Sequence, residues 1–408
     1  MNQNNAGNGD LLRSARRNSA CVVSYGILLL LLAAHVARAE TPLIVRDPNA
    51  SFLDVQARRK ALQNVQTPSQ TSRLLEALAS PKSCTGAPIP APPPKGQDIP
   101  SRYRSSSHGE LNPQEHTLSE PYYNVQDVAA WGANRYLVTG DPLEAACVIH
   151  ALLPWAQSKA LLNYNAKDDM VVWFQSTWTV ASLSLSVSVI RAEPALNPAE
   201  RDQVIAWLRA AAQKAVSESR GPSSGTERNN HFFWRGLAAT AAGVISKDDN
   251  LFAAGLRTYA TAIGEIDSRG AFPLEMERHE LALHYQAFAI EPLVMIAELA
   301  RRQGIDIYGV EENKHRLRDA VVFLSKAMAD PTLVKKYASE TQQIAPDLEA
   351  GSQLLAWVEF WNLRFADPSW QGVLQKPFYA ARLGGNTTLY VAPVDEKAPQ
   401  APATQTVK

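Results

Sequence analysis

From Tyr122 onward, apolar residues recur every three or four positions, in segments separated by Pro, Gly or Asn/Asp. The clearest start signal is Asn197-Pro198-Ala199-Glu200, which combines a capping amide, proline at the first helical position and an acid at the third. It opens a helix through Val216 whose stripe is Val204, Ile205, Leu208, Ala211 and Ala212. Gly140-Asp141-Pro142 starts another, with Pro142 in the first turn. The same spacing predicts helices over 230–243, 249–264, 276–302, 312–328 and 347–363. Met170–Ile190 is strongly apolar but interrupted by Gln175, Ser176, Thr177 and several serines, so it reads as a helix inside a helical core rather than a membrane span. A Ser/Val-rich strand is the competing reading of its second half. Only Thr387–Val391 looks extended. The expectation is an all-α chain of antiparallel helix pairs wound into a barrel or toroid, although a solenoid has the same periodicity.

The two ends differ from this body. Arg13, Arg16 and Arg17, the apolar run Val22–Val36 and Ala37-Arg38-Ala39 form a signal peptide over residues 1–39, with an uncleaved anchoring helix as the alternative. The run is short of the ~20 residues of a full span. The expected location is the periplasm or outside the cell, with no stable membrane association after cleavage. Residues 40–101 form an entry segment poor in regular signals, and Pro88, Pro90 and Pro92 to Pro94 make Gly86–Pro100 an extended strap. The helical domain spans 102–391, and the Pro/Ala/Gln/Thr-rich tail 392–408 is expected to be disordered.

Setting aside residues 1–39, with four arginines and one aspartate, leaves 36 Lys+Arg against 39 Asp+Glu, a net charge of −3. No global basic field exists to hold nucleic acid, so a polyanionic ligand would depend on a few placed arginines. Cys84 and Cys147 are the cysteines outside the signal. In an exported chain they suit one disulfide, and two free thiols are the alternative.

Two clusters carry candidate chemistry. The first is Asn229-Asn230-His231-Phe232-Phe233-Trp234-Arg235; the second is Pro273-Leu274-Glu275-Met276-Glu277-Arg278, followed by Leu281-Ala282-Leu283-His284-Tyr285. On a helix, Asn230, His231 and Trp234 border one patch, or the aromatics are simply core and His231 a satisfied partly buried histidine. Arg278 and Tyr285 are two helical turns apart. A guanidinium beside a phenol lowers its pKa; otherwise Arg278 is solvated and Tyr285 caps the core. His279 and His284 are five apart, not the four of a zinc-binding HExxH, so no metal is assigned. An amide–His pair and an Arg–Tyr pair are the equipment for β-elimination across a uronic acid. Donors neutralise the carboxylate, a base removes the C5 proton, an acid protonates O4, and no cofactor is required.

At these residues the chain resembles the family-5 polysaccharide lyases, the periplasmic poly(β-D-mannuronate) or alginate lyases. The resemblance rests on Asn229-Asn230-His231 with Trp234, Pro273-x-Glu275-Met276-x-Arg278 and Ala282-Leu283-x-Tyr285. Pro292-Leu293-x-Met295-Ile296-Ala297, Pro377-Phe378 with Arg382-Leu383-Gly384-Gly385, and Ser83-Cys84 with Cys147 extend it over residues 83–391. It implies an incomplete (α/α) toroid with a long groove and a monomeric, metal-independent enzyme cutting an anionic polysaccharide to 4,5-unsaturated uronate ends. By that resemblance Asn230 and His231 neutralise the carboxylate, and His231 is the candidate base. Arg278 activates Tyr285, which protonates O4. With mannuronate, where H5 and O4 leave from the same side, Tyr285 can do both. Trp234 would stack on a sugar, Arg382 would bind a neighbouring carboxylate, and Arg102-Tyr103 would lie over the groove.

Three positions depart from the family pattern. Arg102 stands where lysine or another residue occurs, Leu281 where an arginine occurs, and Gln286 where histidine often follows the tyrosine. Losing a cation at Leu281 is expected to weaken one carboxylate contact. His284 resembles a branch tolerant of other hexuronates, including polyglucuronate. A lyase preferring that polymer and a non-catalytic polysaccharide-binding protein are the alternatives to the alginate lyase reading.

Overall fold

The computed structural model describes residues 42–63, 65, 72–79, 82–105 and 108–394. The expected signal at 1–39 and the tail from 395 onward lie outside the described residues. Four long helices form an inner series: α3 (Pro113–Thr139), α5 (Met170–Ile190), α7 (Asn230–Ser246) and α10 (Ala282–Arg302). Each packs on the next, α3 on α5, α5 on α7 and α7 on α10. Each also carries an outer partner: α4 (Pro142–Gln157), α6 (Pro198–Ser217), α8 (Asp249–Gly264) and α11 (Leu317–Ala329). No comparable packing joins α10 back to α3 among the described residues. The fold is all-α, an incomplete (α/α) toroid.

Sequence pattern sorts the two layers. Most of α5, α7 and α10 is buried on every face, as their all-round apolar composition requires. In α6, by contrast, burial is confined to a stripe that includes Val204, Ile205, Leu208, Ala211 and Ala212. Asn197 accepts from the Ala199 amide at 3.0 Å and Pro198 opens the helix, as the start signal requires. The layers approach most closely at α7 and α8, where a side chain on Gly255 would collide with Thr240 and the Gly236 carbonyl. Residues 170–190 are helical throughout, so the strand reading of the second half fails. Its serines are buried, and Ser188 returns its hydroxyl to the Leu185 carbonyl at 2.7 Å, within the helix.

Several local readings are corrected. The entry segment contains two helices, α1 (Val55–Gln63) and α2 (Ser72–Ala79), and Leu43 onward is one compact unit. Arg58 on α1 donates to the Leu389 carbonyl at 2.6 Å, and Arg73 on α2 pairs with Glu359, so both helices are fastened to the C-terminal region. The predicted helix over 276–302 is broken. A short α9 (Pro273–Met276) and a 3-10 turn precede α10, and His279, which opens that turn, sits at φ +53°, which a continuous α-helix does not accommodate. At 312–316, Asn313 and Lys314 both have positive φ and form a turn ahead of α11. Turns and a 3-10 segment also precede α12 (Val358–Phe365). Thr387–Val391, the one segment read as extended, is the short helix α13, capped by Asn386, whose side chain accepts from Leu389 N at 3.0 Å. Two hairpins went unread: β1 (Tyr103–Ser105) with β2 (His108–Leu111), and β3 (Tyr379–Ala380) with β4 (Gly385–Asn386). A disulfide joins Cys84 to Cys147 on α4.

Candidate active site

A groove of about 830 Å³ opens where the N-terminal halves of α3, α5, α7 and α10 converge, closed over by residues 101–103 ahead of and within β1. Unpaired N–H groups and the positive ends of helix dipoles favour an anion at such a place. Residues of both sequence clusters meet here: Asn229 and His231 from the start of α7, Arg278 from the turn before α10, and His284 and Tyr285 from its first turn. Arg102, Tyr103 and Arg382 line the same groove.

His231 is held flat on Phe174, with ring centroids 3.4 Å apart at 10°, and lies near Trp178 at 6.1 Å. Its Nδ1 is buried without a hydrogen-bond partner. Burial, then the charges of Arg278 and Arg235, hold its pKa well below the usual histidine value, so it is a neutral imidazole at physiological pH. The Tyr285 hydroxyl is 3.0 Å from that of Tyr103, and the Arg278 guanidinium lies 4.6 Å from the centre of the Tyr285 ring.

This geometry corrects the expected helix-face pairing. Arg278 precedes the helix, and the left-handed residue His279 folds the chain so that its guanidinium covers the ring. The expected fall in the Tyr285 pKa is also reversed: burial dominates and raises it, with Arg278 and Arg102 acting the other way. In the free enzyme Tyr285 is therefore a protonated phenol.

Asn230 and Trp234 do not reach the groove. Asn230 donates its backbone N–H (2.6 Å) and Nδ2 (2.8 Å) to the buried carboxyl of Glu275, tying the two clusters together behind the site. The amide in the groove belongs to Asn229, whose Oδ1 accepts from His231 N at 3.1 Å. Trp234 is 0% exposed and donates to the Phe288 carbonyl at 3.2 Å, so although it is one turn from His231 it is packed against α10 in the core. Trp178 of α5 takes the aromatic place in the groove, with Arg382 4.8 Å from its ring. The polar, aromatic-bounded start of α5 was the sequence signal for it, masked by the apolar run around it.

His284 Nδ1 pairs with Asp347 Oδ2 at 2.8 Å, and His279 Nδ1 goes to a different carboxylate, Glu340, also at 2.8 Å. Arg102 lies 3.6 Å from Glu115, which also accepts from Ser119 and Gln175, both at 3.1 Å. Leu281 is buried outside the groove. Gln286 is structural, accepting from Phe272 N at 3.0 Å and donating to the Gly270 carbonyl at 3.1 Å.

Comparison with known proteins gives the family. The family model described as alginate lyase matches residues 63–333. A polysaccharide lyase of Stenotrophomonas maltophilia is 30% identical over 328 residues, covering 78% of this chain and 94% of that protein. Among solved structures, a tyrosine-to-phenylalanine variant of alginate lyase A1-III complexed with a tetrasaccharide is 39% identical with a TM-score of 0.81, covering 88% of this chain and 98% of that one. Alginate lyase A1-III from Sphingomonas species A1 is 40% identical with a TM-score of 0.79, covering 86% and 97%. A groove built from both clusters on an open helical toroid, together with these matches, establishes that the chain is a polysaccharide lyase belonging to the alginate lyase family.

Proposed function

We propose that the chain cleaves alginate at mannuronate units by metal-independent β-elimination, leaving 4,5-unsaturated uronate ends. The observation that carries this reading is the meeting of a neutral imidazole (His231), a protonated phenol (Tyr285) and the Arg278 guanidinium in one anion-favouring groove. Arg278, with the Asn229 amide, neutralises the substrate carboxylate and stabilises the charge that develops on it when H5 leaves. His231 is unprotonated and so free to accept H5, and the incoming carboxylate raises its pKa toward the working pH. Tyr285 starts with the proton that O4 needs. Trp178 offers a sugar-facing indole, and Arg382 beside it meets a neighbouring carboxylate.

Arg278 and Arg102 support a second assignment, Tyr285 as both base and acid, because their charges favour phenolate against the effect of burial. Replacing His231 with glutamine separates the two. Turnover collapses if His231 takes the proton and survives at a reduced rate if Tyr285 does. Polyglucuronate is a second substrate reading, supported by His284 in the groove; Leu281, which lies outside it, does not bear on the choice.

The experiment is to incubate purified protein with poly-mannuronate, poly-guluronate, polyglucuronate and hyaluronan and follow the ultraviolet absorbance of the conjugated product. Poly-mannuronate should be cut fastest, and no product from any polymer refutes the reading. We place the enzyme in the periplasm or outside the cell, on the strength of residues 1–39 and the Cys84–Cys147 disulfide. Cell fractionation and N-terminal sequencing of the mature protein test that placement.

A further inference from the structure

Behind the active-site groove lies a separate crevice of about 230 Å³, enclosed by α2, α3, the β3–β4 hairpin and α13. Tyr379 is the partition. Its side lines both cavities, and its hydroxyl donates to Asp127, a residue of the groove, at 2.7 Å.

The crevice is rich in donors. Asn134 is only 4% exposed; its Oδ1 accepts from Asn386 N at 2.8 Å, which orients the amide and leaves Nδ2 buried with no hydrogen-bond partner among the described residues. The Tyr390 hydroxyl donates to the Gly384 carbonyl and has lone pairs near enough to feel that amide, but no hydrogen bond of proper geometry joins the two. Trp131 Nε1 is likewise buried without a well-formed hydrogen bond, despite the Tyr379 hydroxyl nearby. Lys82 lies over the Trp131 ring, its Nζ 4.6 Å from the centroid. An unsatisfied buried donor carries the full cost of its desolvation, so such a group, oriented by a neighbour on a residue that borders a cavity, marks a place for an acceptor.

We propose that this crevice is a second carbohydrate site, which takes one uronate unit with its carboxylate against Lys82 and the Asn134 amide. The proposal rests on the polyuronate reading of the groove. Its volume is below the ~300–1,000 Å³ of sites for drug-sized ligands and suits one sugar ring. Glu76 lines the crevice from an exposed position on α2. It accepts from sugar hydroxyls and disfavours a second carboxylate, which limits the site to one charged unit. Separated from the groove by one side chain, the crevice anchors the polymer without entering the elimination.

Indole N–H resonances test this directly, because Trp131 reports the crevice and Trp178 the groove, each assigned by its Phe variant. The intact protein is titrated with methyl mannuronoside and, as a neutral control, methyl mannoside. The Tyr285→Phe variant is titrated with a mannuronate tetrasaccharide. The Trp131 resonance should move saturably with the uronoside and not with the neutral sugar. Lys82→Met, a change at an exposed position, should weaken that binding about fivefold or more. Asn134→Asp, which keeps the acceptor to Asn386 and removes the donor, should weaken it further. A Trp131 resonance that stays fixed while Trp178 moves overturns the crevice site and leaves the substrate reading standing. Equal response to the neutral sugar, or unchanged affinity in Lys82→Met, also overturns it. If neither tryptophan responds to the tetrasaccharide, both readings fall.

Discussion

Replacing Arg278 with methionine removes a charge felt by three groups at once. The stem keeps its apolar contact with the Tyr285 ring, so the change addresses electrostatics more than packing. Two unit charges 4.6 Å apart at an effective dielectric near 20 interact by about 3–4 kcal/mol. That attraction opposes the effect of burial on Tyr285, and losing it lets burial raise the pKa of the phenol further. Arg278 pulls down the pKa of His231, Glu275 and Tyr285 alike, and its loss raises all three.

Each rise has its own consequence. His231 becomes protonated at a higher pH, so the acid limb of the kcat/KM profile moves toward neutral. Tyr285 remains a phenol. The substrate carboxylate loses its principal cation, which by the measure of a lost oxyanion donor lowers kcat by about 100–1,000-fold. The assay is the pH dependence of kcat/KM by product absorbance, with thermal unfolding to show that the variant is folded. A folded variant with less than about a tenfold loss, or with an acid limb that does not move upward, refutes this electrostatic account.

Trp178→Ala should raise KM strongly with little change in stability, whereas Trp234→Ala should cost about 3–5 kcal/mol in denaturant unfolding; similar behaviour of the two would contradict their placement. Glu291 is buried beside Arg382, and burial pushes its carboxyl up to about 8. The unfolded chain releases that proton at an ordinary carboxyl pKa and the native chain holds it. Stability is thus fully present at acid pH and falls by about 1.4 kcal/mol per unit as pH rises toward 8. Glu291→Gln should abolish that decline, and urea unfolding between pH 5 and 8 checks it. Replacing Cys84 and Cys147 together with serine opens a loop of 63 residues and should cost about 4 kcal/mol by chain entropy, read as a fall in the denaturant midpoint.

Both clusters singled out in the sequence meet at the groove, but not every residue named in them reaches it. Asn229 and Asn230 are adjacent amides, and periodicity gives no reason to prefer the first. The choice is made by Glu275, whose carboxyl takes both donors of Asn230 and leaves Asn229 at the cap facing the groove. Trp234 shares a helix face with His231 by spacing, but α7 is buried on almost all sides, so that face meets α10 rather than substrate. For Arg278 and Tyr285 the proximity expected from helical spacing exists, by a different route: a backbone turn at His279 substitutes for two turns of helix. The pKa of Tyr285 runs opposite to the sequence expectation because a neighbouring charge is visible in sequence and burial is not.

The chain alone determined that it would be helical, where α4 to α8 begin and which side-chain chemistry it carries. Those follow from short-range spacing, capping and the all-round or one-sided distribution of apolar residues. Tertiary structure decided which of two adjacent amides faces substrate, that Trp178 rather than Trp234 borders the groove, and that His231 is neutral and Tyr285 protonated. It also decided that residues 387–391, rich in strand-forming side chains, would close as a helix under the Asn386 cap. Orientation and desolvation depend on atoms supplied by segments distant in sequence, so they exist only once the toroid has brought those segments together.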